Sequence, residues 1–317
     1  MGARRSRVTS QPTMRALRLH RFGGPEVMVV DEVPLPQARD DEVVLRIHAA
    51  GLNPVDYKVR DGAYPVFGPD RLPITLGFEA AGTVETCGVE AMGLKPGDPM
   101  FAMLGGEHGA FAEFVVVKAT EMVGVPRGVD LDTAGATPLA ALTAWQGLFD
   151  HGKLAAGQTV LIHGAAGGVG HLAVQFAKQA GARVIATASS KDLDFVRGLG
   201  ADVVVDYKAE RFEDAAHNVD LVYDLIGGET QARSWAVLRS GGMLVSTVGP
   251  PAKIPADKHG VGYACSPNPA QLGRIAAQIA EGKVIVRIDA RFAFADYAAA
   301  FERLEHGHPT GKIILTF

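Results

Sequence analysis

Gly164, Gly167 and Gly170 recur every third residue straight after the apolar run Thr159-Val160-Leu161-Ile162. The run reads as a buried strand, and the glycines read as a tight turn that opens a helix. Their spacing is a variant of the G-x-G-x-x-G dinucleotide fingerprint. It meets the same demands: a sharp turn, close backbone approach to a pyrophosphate and close helix–strand packing. Free N–H groups at a helix start favour an anion there.

In such sites an Asp or Glu roughly 20 residues further on receives the adenosine ribose of NAD. Here the next strand ends Thr187-Ala188-Ser189-Ser190-Lys191, and the first carboxylate is Asp192. Two hydroxyls and an ammonium suit a 2′-phosphate, which a carboxylate would repel, so Ser189, Ser190 and Lys191 predict NADPH. Ser190 has a second reading as the N-cap of the following helix. Tyr207, after the third strand, is placed either to lie over the adenosine or to stand as an ordinary surface tyrosine.

Those residues need a frame that holds a strand end against a helix start. The chain has 317 residues, long for one hydrophobic core. With 47% hydrophobic and 21% charged residues it has an ordinary globular balance. A net charge of −4 gives no basic surplus for nucleic acid. No apolar run approaches the roughly 20 residues of a membrane span. Arg4, Arg5 and Arg7 sit in a polar leader without an apolar stretch behind it, which argues against a signal peptide. Cys87 and Cys265 are the only cysteines, too few for a secreted framework or a four-cysteine zinc site, and a disulfide between them stays open. A cytoplasmic protein is expected.

Residues 1–13 read as a disordered leader and residues 14–133 as a β-rich, barrel-like domain. In the latter, short strands such as 27–30, 42–49, 82–85 and 112–117 are broken by Gly and Pro. Residues 134–283 alternate helix and strand, beginning with an alanine-rich helix from Ala134 to Trp145. The strands at 160–162, 183–187, 201–205, 219–224 and 242–247 are almost continuously apolar, as in a parallel sheet covered on both faces. Residues 284–317 end in the strand candidate 312–317, which returns to the first domain. The fold class is α/β, with a doubly wound parallel-sheet domain beside a β-barrel domain.

Six segments together carry a family resemblance: Gly51-Leu52-Asn53-Pro54-Val55-Asp56, Gly77-Phe78-Glu79-Ala80-Ala81-Gly82, Ala110-Phe111-Ala112-Glu113-Phe114, Ala141-Leu142-Thr143-Ala144-Trp145, His163 to Gly170, and Thr310-Gly311-Lys312-Ile313-Ile314-Leu315. From Met14 to Phe317 the chain resembles the medium-chain dehydrogenase/reductase superfamily, built of a chaperonin-10-like catalytic domain and a Rossmann domain. Where the zinc-dependent members carry Cys and His ligands, this chain has Asn53 and Phe78, and neither is a plausible zinc ligand. No residue is assigned to a metal. Within the superfamily the chain resembles the zinc-independent quinone oxidoreductases, the zeta-crystallin-like branch.

That resemblance implies NADPH-dependent reduction of quinones, or of the C=C bond of α,β-unsaturated carbonyls. It places Thr143, Ala166, Gly167, Gly168, Val169, Ser189, Lys191 and Tyr207 against the cofactor, beside Gly164 of the glycine turn. Ile226, Gly227, Val248 and Gly249, at the ends of the next two strands, would line the same crevice. Reduction without zinc leaves an enolate or hydroquinone anion to be met by hydrogen-bond donors. Asn53, Tyr57 and Lys58 are the candidates, Lys58 standing where the branch often has tyrosine. Each has another reading: Asn53 as a helix cap, Tyr57 as packing, Lys58 as a solvated helix residue. His163 reads as packing, and Asp56 and Glu79 as holding loops by hydrogen bonds. Relatives are commonly dimers joined at the Rossmann sheet edge, and residues 260–265 offer such an edge strand for a homodimer. Two other functions remain: an NADPH-binding sensor or structural protein without turnover, and a zinc-free alcohol dehydrogenase.

Overall fold

A computed structural model describes residues 11–317 apart from Pro65, Met92 and Glu107. Most of the expected leader, with its three arginines, lies outside the described residues, and Thr13 already belongs to the first strand, Thr13–Leu19.

Six parallel strands make one sheet. Their spatial order is Val203–Asp206, Arg183–Ala188, Thr159–Ile162, Val219–Asp224, Leu238–Ser246 and His259–Gly262. Chain order therefore runs outward in both directions from Thr159–Ile162, which creates the switch point where doubly wound sheets bind ligands. Val160, Leu161 and Ile162 are all buried because both faces of the strand are covered. The helix Gly170–Gln179 lies against this strand, with Leu172, Ala173, Phe176 and Ala177 in the core.

The glycine spacing has a geometric cause. Gly164 adopts φ +69°, a region that L side chains rarely enter. A Cβ on Gly170 would come within 2.2 Å of the Gly164 carbonyl oxygen, so the helix reaches the turn only because that position is bare.

The second unit is a seven-stranded, mostly antiparallel sheet centred on Glu42–Leu52. That strand pairs with Glu79–Cys87, with Phe114–Lys118 and, at its far end, with Lys312–Thr316. Pro99–Met103, Val123–Gly124 and Ile288–Ala293 complete the sheet, and Thr13–Leu19, Met28–Pro34 and Ile74–Thr75 form a separate one. The C-terminal strand thus lies in the sheet begun by the N-terminal half.

The expected helix from Ala134 to Trp145 is two helices, Leu131–Gly135 and Pro138–Trp145, followed by a π-helical turn at Gln146–His151. Pro138 explains the break: it has no N–H to continue the first helix and is well placed to begin the second.

The short helix Pro54–Arg60 is fixed from its far end. Buried Arg60 pairs with Glu305 at 2.6 Å, on the last helix, Tyr297–His306, and with Asp61 at 2.7 Å. Replacing Arg60 with alanine leaves largely buried Glu305 without its partner and should cost about 3 kcal/mol. Denaturant unfolding checks this; a change within a few tenths of a kcal/mol would mean that helix Pro54–Arg60 is held by packing alone.

Candidate active site

The glycine-rich turn opens a crevice with apolar walls. Ile226 is 56% exposed, and Tyr207 and Val248 stand exposed nearby along the strand ends. Ile226 borders the turn directly, since a Cβ on Gly164 would lie 3.0 Å from its Cδ1. Buried Asp224 shapes this wall by accepting hydrogen bonds from the N–H groups of Ile226 and Gly227. Gly227 has φ +78° and Gly249 φ +129°. Exposed branched side chains at strand ends, beside a turn of bare backbone, suit a flat, partly aromatic ligand with a charged middle.

At one end of the crevice is a cleft of about 350 Å³ lined by Ser189, Ser190, Lys191, Tyr207, Lys208, Gly307 and His308. Ser190 does not cap the following helix: its hydroxyl donates to Asp206, at 2.5 Å. Ser189 donates to Asp192 at 2.6 Å, and Thr310 donates to the other oxygen of that carboxylate. Two carboxylates therefore stand behind the serines, one from a neighbouring strand end that linear spacing did not bring to this edge. The Ser190 hydrogen bond, followed by the Lys208 N–H, holds the Asp206 carboxyl below its ordinary range, so it is ionised. The cations lining the cleft are Lys208, whose charge acts on Asp206, and Lys191, whose ammonium donates to the His308 carbonyl at 3.0 Å. Lys208, Gly307 and His308 were not marked by the sequence reading.

On the side of the second unit, the polar groups are gathered in one buried cluster. Lys312 is 2% exposed and Glu79 fully buried, with Nζ and Oε1 2.7 Å apart. The Lys312 ammonium also donates to the Leu52 carbonyl, at 3.0 Å, and to Asn53 Oδ1. Asn53 Nδ2 donates to Glu79 Oε1 and to the Gly51 carbonyl. Glu79 Oε2 accepts from the Leu139 N–H, in the first turn of the helix Pro138–Trp145. Every polar group of the Asn53 side chain is thus engaged inside the cluster, leaving no amide N–H for an external oxyanion. Lys312 was read only as part of a matching segment; its place beside Asn53 was not visible in the linear sequence.

The donor set does not suit zinc. Phe78 has no lone pair, Asn53 is hydrogen-bonded throughout, and an ammonium already occupies the space between Asn53 and Glu79. Among the described residues no group of three His, Cys, Asp or Glu side chains is arranged to hold a metal.

Asp56 lies under the cluster. Its Oδ2 accepts from the Asn53 N–H at 2.7 Å, while Oδ1 is buried without a partner. Desolvation pushes this carboxyl up to about 8, opposed by the Asn53 N–H and by Lys312, so it is largely neutral at pH 7. Tyr57 and Lys58 follow on the same helix, both half-buried. Burial, then the charges of Glu305 and Asp61, raise the Tyr57 phenol, which stays protonated and able to donate. Among the described residues Lys58 forms no salt bridge. Asn53, Tyr57 and Lys58 therefore share one short helix and its cap, but only the latter two have polar groups outside the cluster.

Thr143 is also committed. Its hydroxyl reaches the Leu139 carbonyl at 2.7 Å and Cys265 Sγ at 3.1 Å, and its carbonyl accepts from both Tyr223 and Tyr263. Tyr263 and Cys265 thus turn their side chains toward their own chain, which leaves the backbone of His259–Gly262 as the exposed part of the edge expected at residues 260–265. Both cysteines are free thiols. His163 bonds Thr187 and Ser234 side chains, and burial drives it down to about 4. His171 is likewise buried and lowered to about 4; it links the Gly167 carbonyl to the Arg287 N–H.

A two-unit oxidoreductase is the class this arrangement defines: a GroES-like barrel clasped to a dinucleotide-binding sheet. Residues 39–127 match the alcohol dehydrogenase GroES-like domain, and residues 199–315 match the zinc-binding dehydrogenase family. The 2-methylene-furan-3-one reductase of Solanum lycopersicum is 34% identical over 95% of this chain and 79% of its own length. The chloroplastic NADPH-dependent alkenal/one oxidoreductase of Arabidopsis thaliana is 33% identical with the same coverage. The quinone oxidoreductase structure from Coxiella burnetii superposes with a TM-score of 0.88 at 31% identity, covering 96% of this chain and all of that one. The chain belongs to the medium-chain dehydrogenase/reductase superfamily, and within it to the zinc-independent quinone oxidoreductase branch.

Asp56 gives stability a distinctive pH dependence. The folded state keeps a proton up to about pH 8 that the unfolded chain releases near 4, so this contribution falls as pH rises between those values. The two lowered histidines act oppositely below about pH 6.5, which leaves a clean window above it. There the native protein should lose up to about 1.4 kcal/mol per pH unit through Asp56, and Asp56→Asn should flatten that slope. Unfolding free energies at pH 6.5, 7.25 and 8 decide; parallel curves for the two proteins refute the assignment.

Proposed function

We propose that this chain is an NADPH-dependent reductase of quinones and of the C=C bond in α,β-unsaturated aldehydes or ketones. The observation that carries the reading is the Lys312 ammonium seated between Asn53 and Glu79, directly beneath a dinucleotide turn. That ammonium fills the space between Asn53 and Glu79 and has no free proton for an acceptor, so the reading favours an acceptor that takes hydride without metal activation. The names of the relatives support the same acceptors.

Gly164, Gly167 and Gly168 offer bare backbone to a pyrophosphate at the start of the helix Gly170–Gln179. Ala166 and Val169 flank that backbone, and Ile226, Val248 and Gly249 form the opposite wall. Lys191 and Lys208 supply the positive charge of the cleft for a 2′-phosphate, with Tyr207 beside the adenine; Ser189 and Ser190 line it while donating their hydroxyl protons to Asp192 and Asp206. Thr143 contributes through the position of its helix, since its own polar groups are occupied. When bound, NADPH supplies the hydride. Addition at the β-carbon of an enone leaves negative charge on the carbonyl oxygen, which a protonated Tyr57 and the Lys58 ammonium stabilise before water protonates the α-carbon. Asn53 serves this step by holding the start of their helix.

The protein functions in the cytoplasm as a homodimer joined through the edge strand His259–Gly262, a reading supported by two free thiols and an unpaired sheet edge. No helix among the described residues is long and apolar enough to cross a membrane. Sedimentation velocity tests the dimer, and a monomer at micromolar concentration refutes it.

Steady-state NADPH oxidation with 1,4-benzoquinone, 9,10-phenanthrenequinone and a simple enone tests the activity itself. Tight NADPH binding without turnover on any of them would favour a sensor. Lys191→Glu should weaken NADPH by about 100-fold, through a lost charge-assisted bond and a new repulsion, with NADH affinity little changed. Equal losses for both cofactors in a binding titration would remove the 2′-phosphate from that cleft. Tyr57→Phe or Lys58→Ala should lower kcat by about 100-fold at saturating NADPH if each donor meets the developing anion. Unchanged turnover and acceptor KM in both would remove them from the site.

A further inference from the structure

The buried cluster is more than a filled cavity, because Lys312 touches both halves of the proposed reaction site. Its stem lies against the dinucleotide turn: a Cβ on Gly168 would meet Lys312 Cδ at 3.0 Å. Its backbone neighbour Gly311 donates to the Ala166 carbonyl at 2.9 Å and forms an isolated parallel bridge with Gly167. Its ammonium holds the Leu52 carbonyl and Asn53 Oδ1, which end the central strand and cap the helix carrying Tyr57 and Lys58. Through Glu79 it also reaches the Leu139 N–H, and so the helix that carries Thr143.

We propose that Lys312 is a positioning residue that fixes the acceptor-side helix Pro54–Arg60, and the helix Pro138–Trp145, relative to the glycine-rich cofactor turn. The proposal rests on the reductase reading. All three ammonium protons are spent on Leu52, Asn53 and Glu79, so the group does not act as a donor to phosphate or acceptor. Its effect is the distance between hydride donor and acceptor, where an error near 1 Å costs about 100-fold in rate. A rigid two-sided tie is also the arrangement that lets occupancy of the turn be felt at the helix.

Removing the ammonium alone strands Glu79 as a buried charge, which penalises folding for reasons unrelated to positioning. The informative protein is therefore the neutral double variant Lys312→Met/Glu79→Gln. Four readouts are taken on it and on the wild type: melting temperature, NADPH affinity, single-turnover hydride transfer to an enone at saturating NADPH, and amide exchange across residues 54–60 with and without NADPH. In the wild type, NADPH should slow exchange across residues 54–60. The double variant should lose that protection and transfer hydride about 100-fold more slowly, with NADPH affinity little changed. Lys312→Arg, which restores the charge, should recover part of the rate.

A double variant that melts like the wild type and transfers hydride at the wild-type rate overturns the proposal. So does weakened NADPH binding with an unchanged rate at saturation, which would make Lys312 a phosphate ligand. Should the double variant not fold, Lys312→Arg is read alone, and wild-type rate and wild-type coupling in a protein whose three-acceptor geometry has been altered overturn it equally. Absence of wild-type turnover with every acceptor defeats the reductase reading. The exchange measurement needs only bound NADPH and judges the positioning role regardless.

Discussion

One buried ion pair, Lys312 with Glu79, anchors the cluster where two strands of the second unit's sheet meet the first turn of the helix Pro138–Trp145. Taking both charges out of water is costly, and their mutual attraction offsets that cost only with the remaining hydrogen-bond capacity filled. Here it is filled: the ammonium has three acceptors, and the carboxylate receives the Asn53 amide and the Leu139 N–H as well as the ammonium. Four segments distant in sequence converge there, from Leu52 and Asn53, from Glu79, from Leu139 and from the last strand. That convergence sets the geometry of the candidate site.

The two sides of the site are built on opposite principles. The cofactor side is open, with bare backbone at the glycines and exposed apolar side chains at Tyr207, Ile226 and Val248, a surface suited to a ligand that supplies its own charge. The side proposed for the acceptor is closed. Its most polar residues are saturated by one another, and even Asp56 is held neutral by burial rather than left to react. This division suits hydride transfer to a conjugated acceptor, where the cofactor brings the reducing power and the protein supplies orientation and a few donors. The position that holds a metal ligand in zinc-dependent relatives has become part of a structural lock.

Much of this was legible along the chain. The strands around 160–162 and 219–224 appear where their almost continuously apolar runs place them, because a strand buried on both faces leaves little room for polar alternation. The glycine turn was legible because backbone sterics act between near neighbours. The first strand, Thr13–Leu19, and Ile288–Ala293 carry arginines and other polar residues at sheet positions that face solvent, which blurs the apolar signal. The expected Ala134–Trp145 helix misses the break before Pro138, because alanine content masks the effect of the proline. At the site, Ser189, Ser190 and Lys191 do share a cleft, yet Asp206 behind them and Lys208 and His308 beside them arrive from other strand and loop ends.

The sequence alone determined the class of the molecule: a dinucleotide turn, a doubly wound sheet and a β-rich partner domain. These rest on local sterics and on periodic burial, properties of residues close together in the chain, while the family resemblance added that Asn53 and Phe78 stand where zinc-dependent members carry ligands. Tertiary structure decided which polar groups remain available. Asn53 looked like a donor until Lys312, 259 residues away, filled its oxygen, and Glu79 filled its amide. A hydrogen-bonding group has few sites to offer, and which of them are already taken depends on what long-range folding brings within 3 Å.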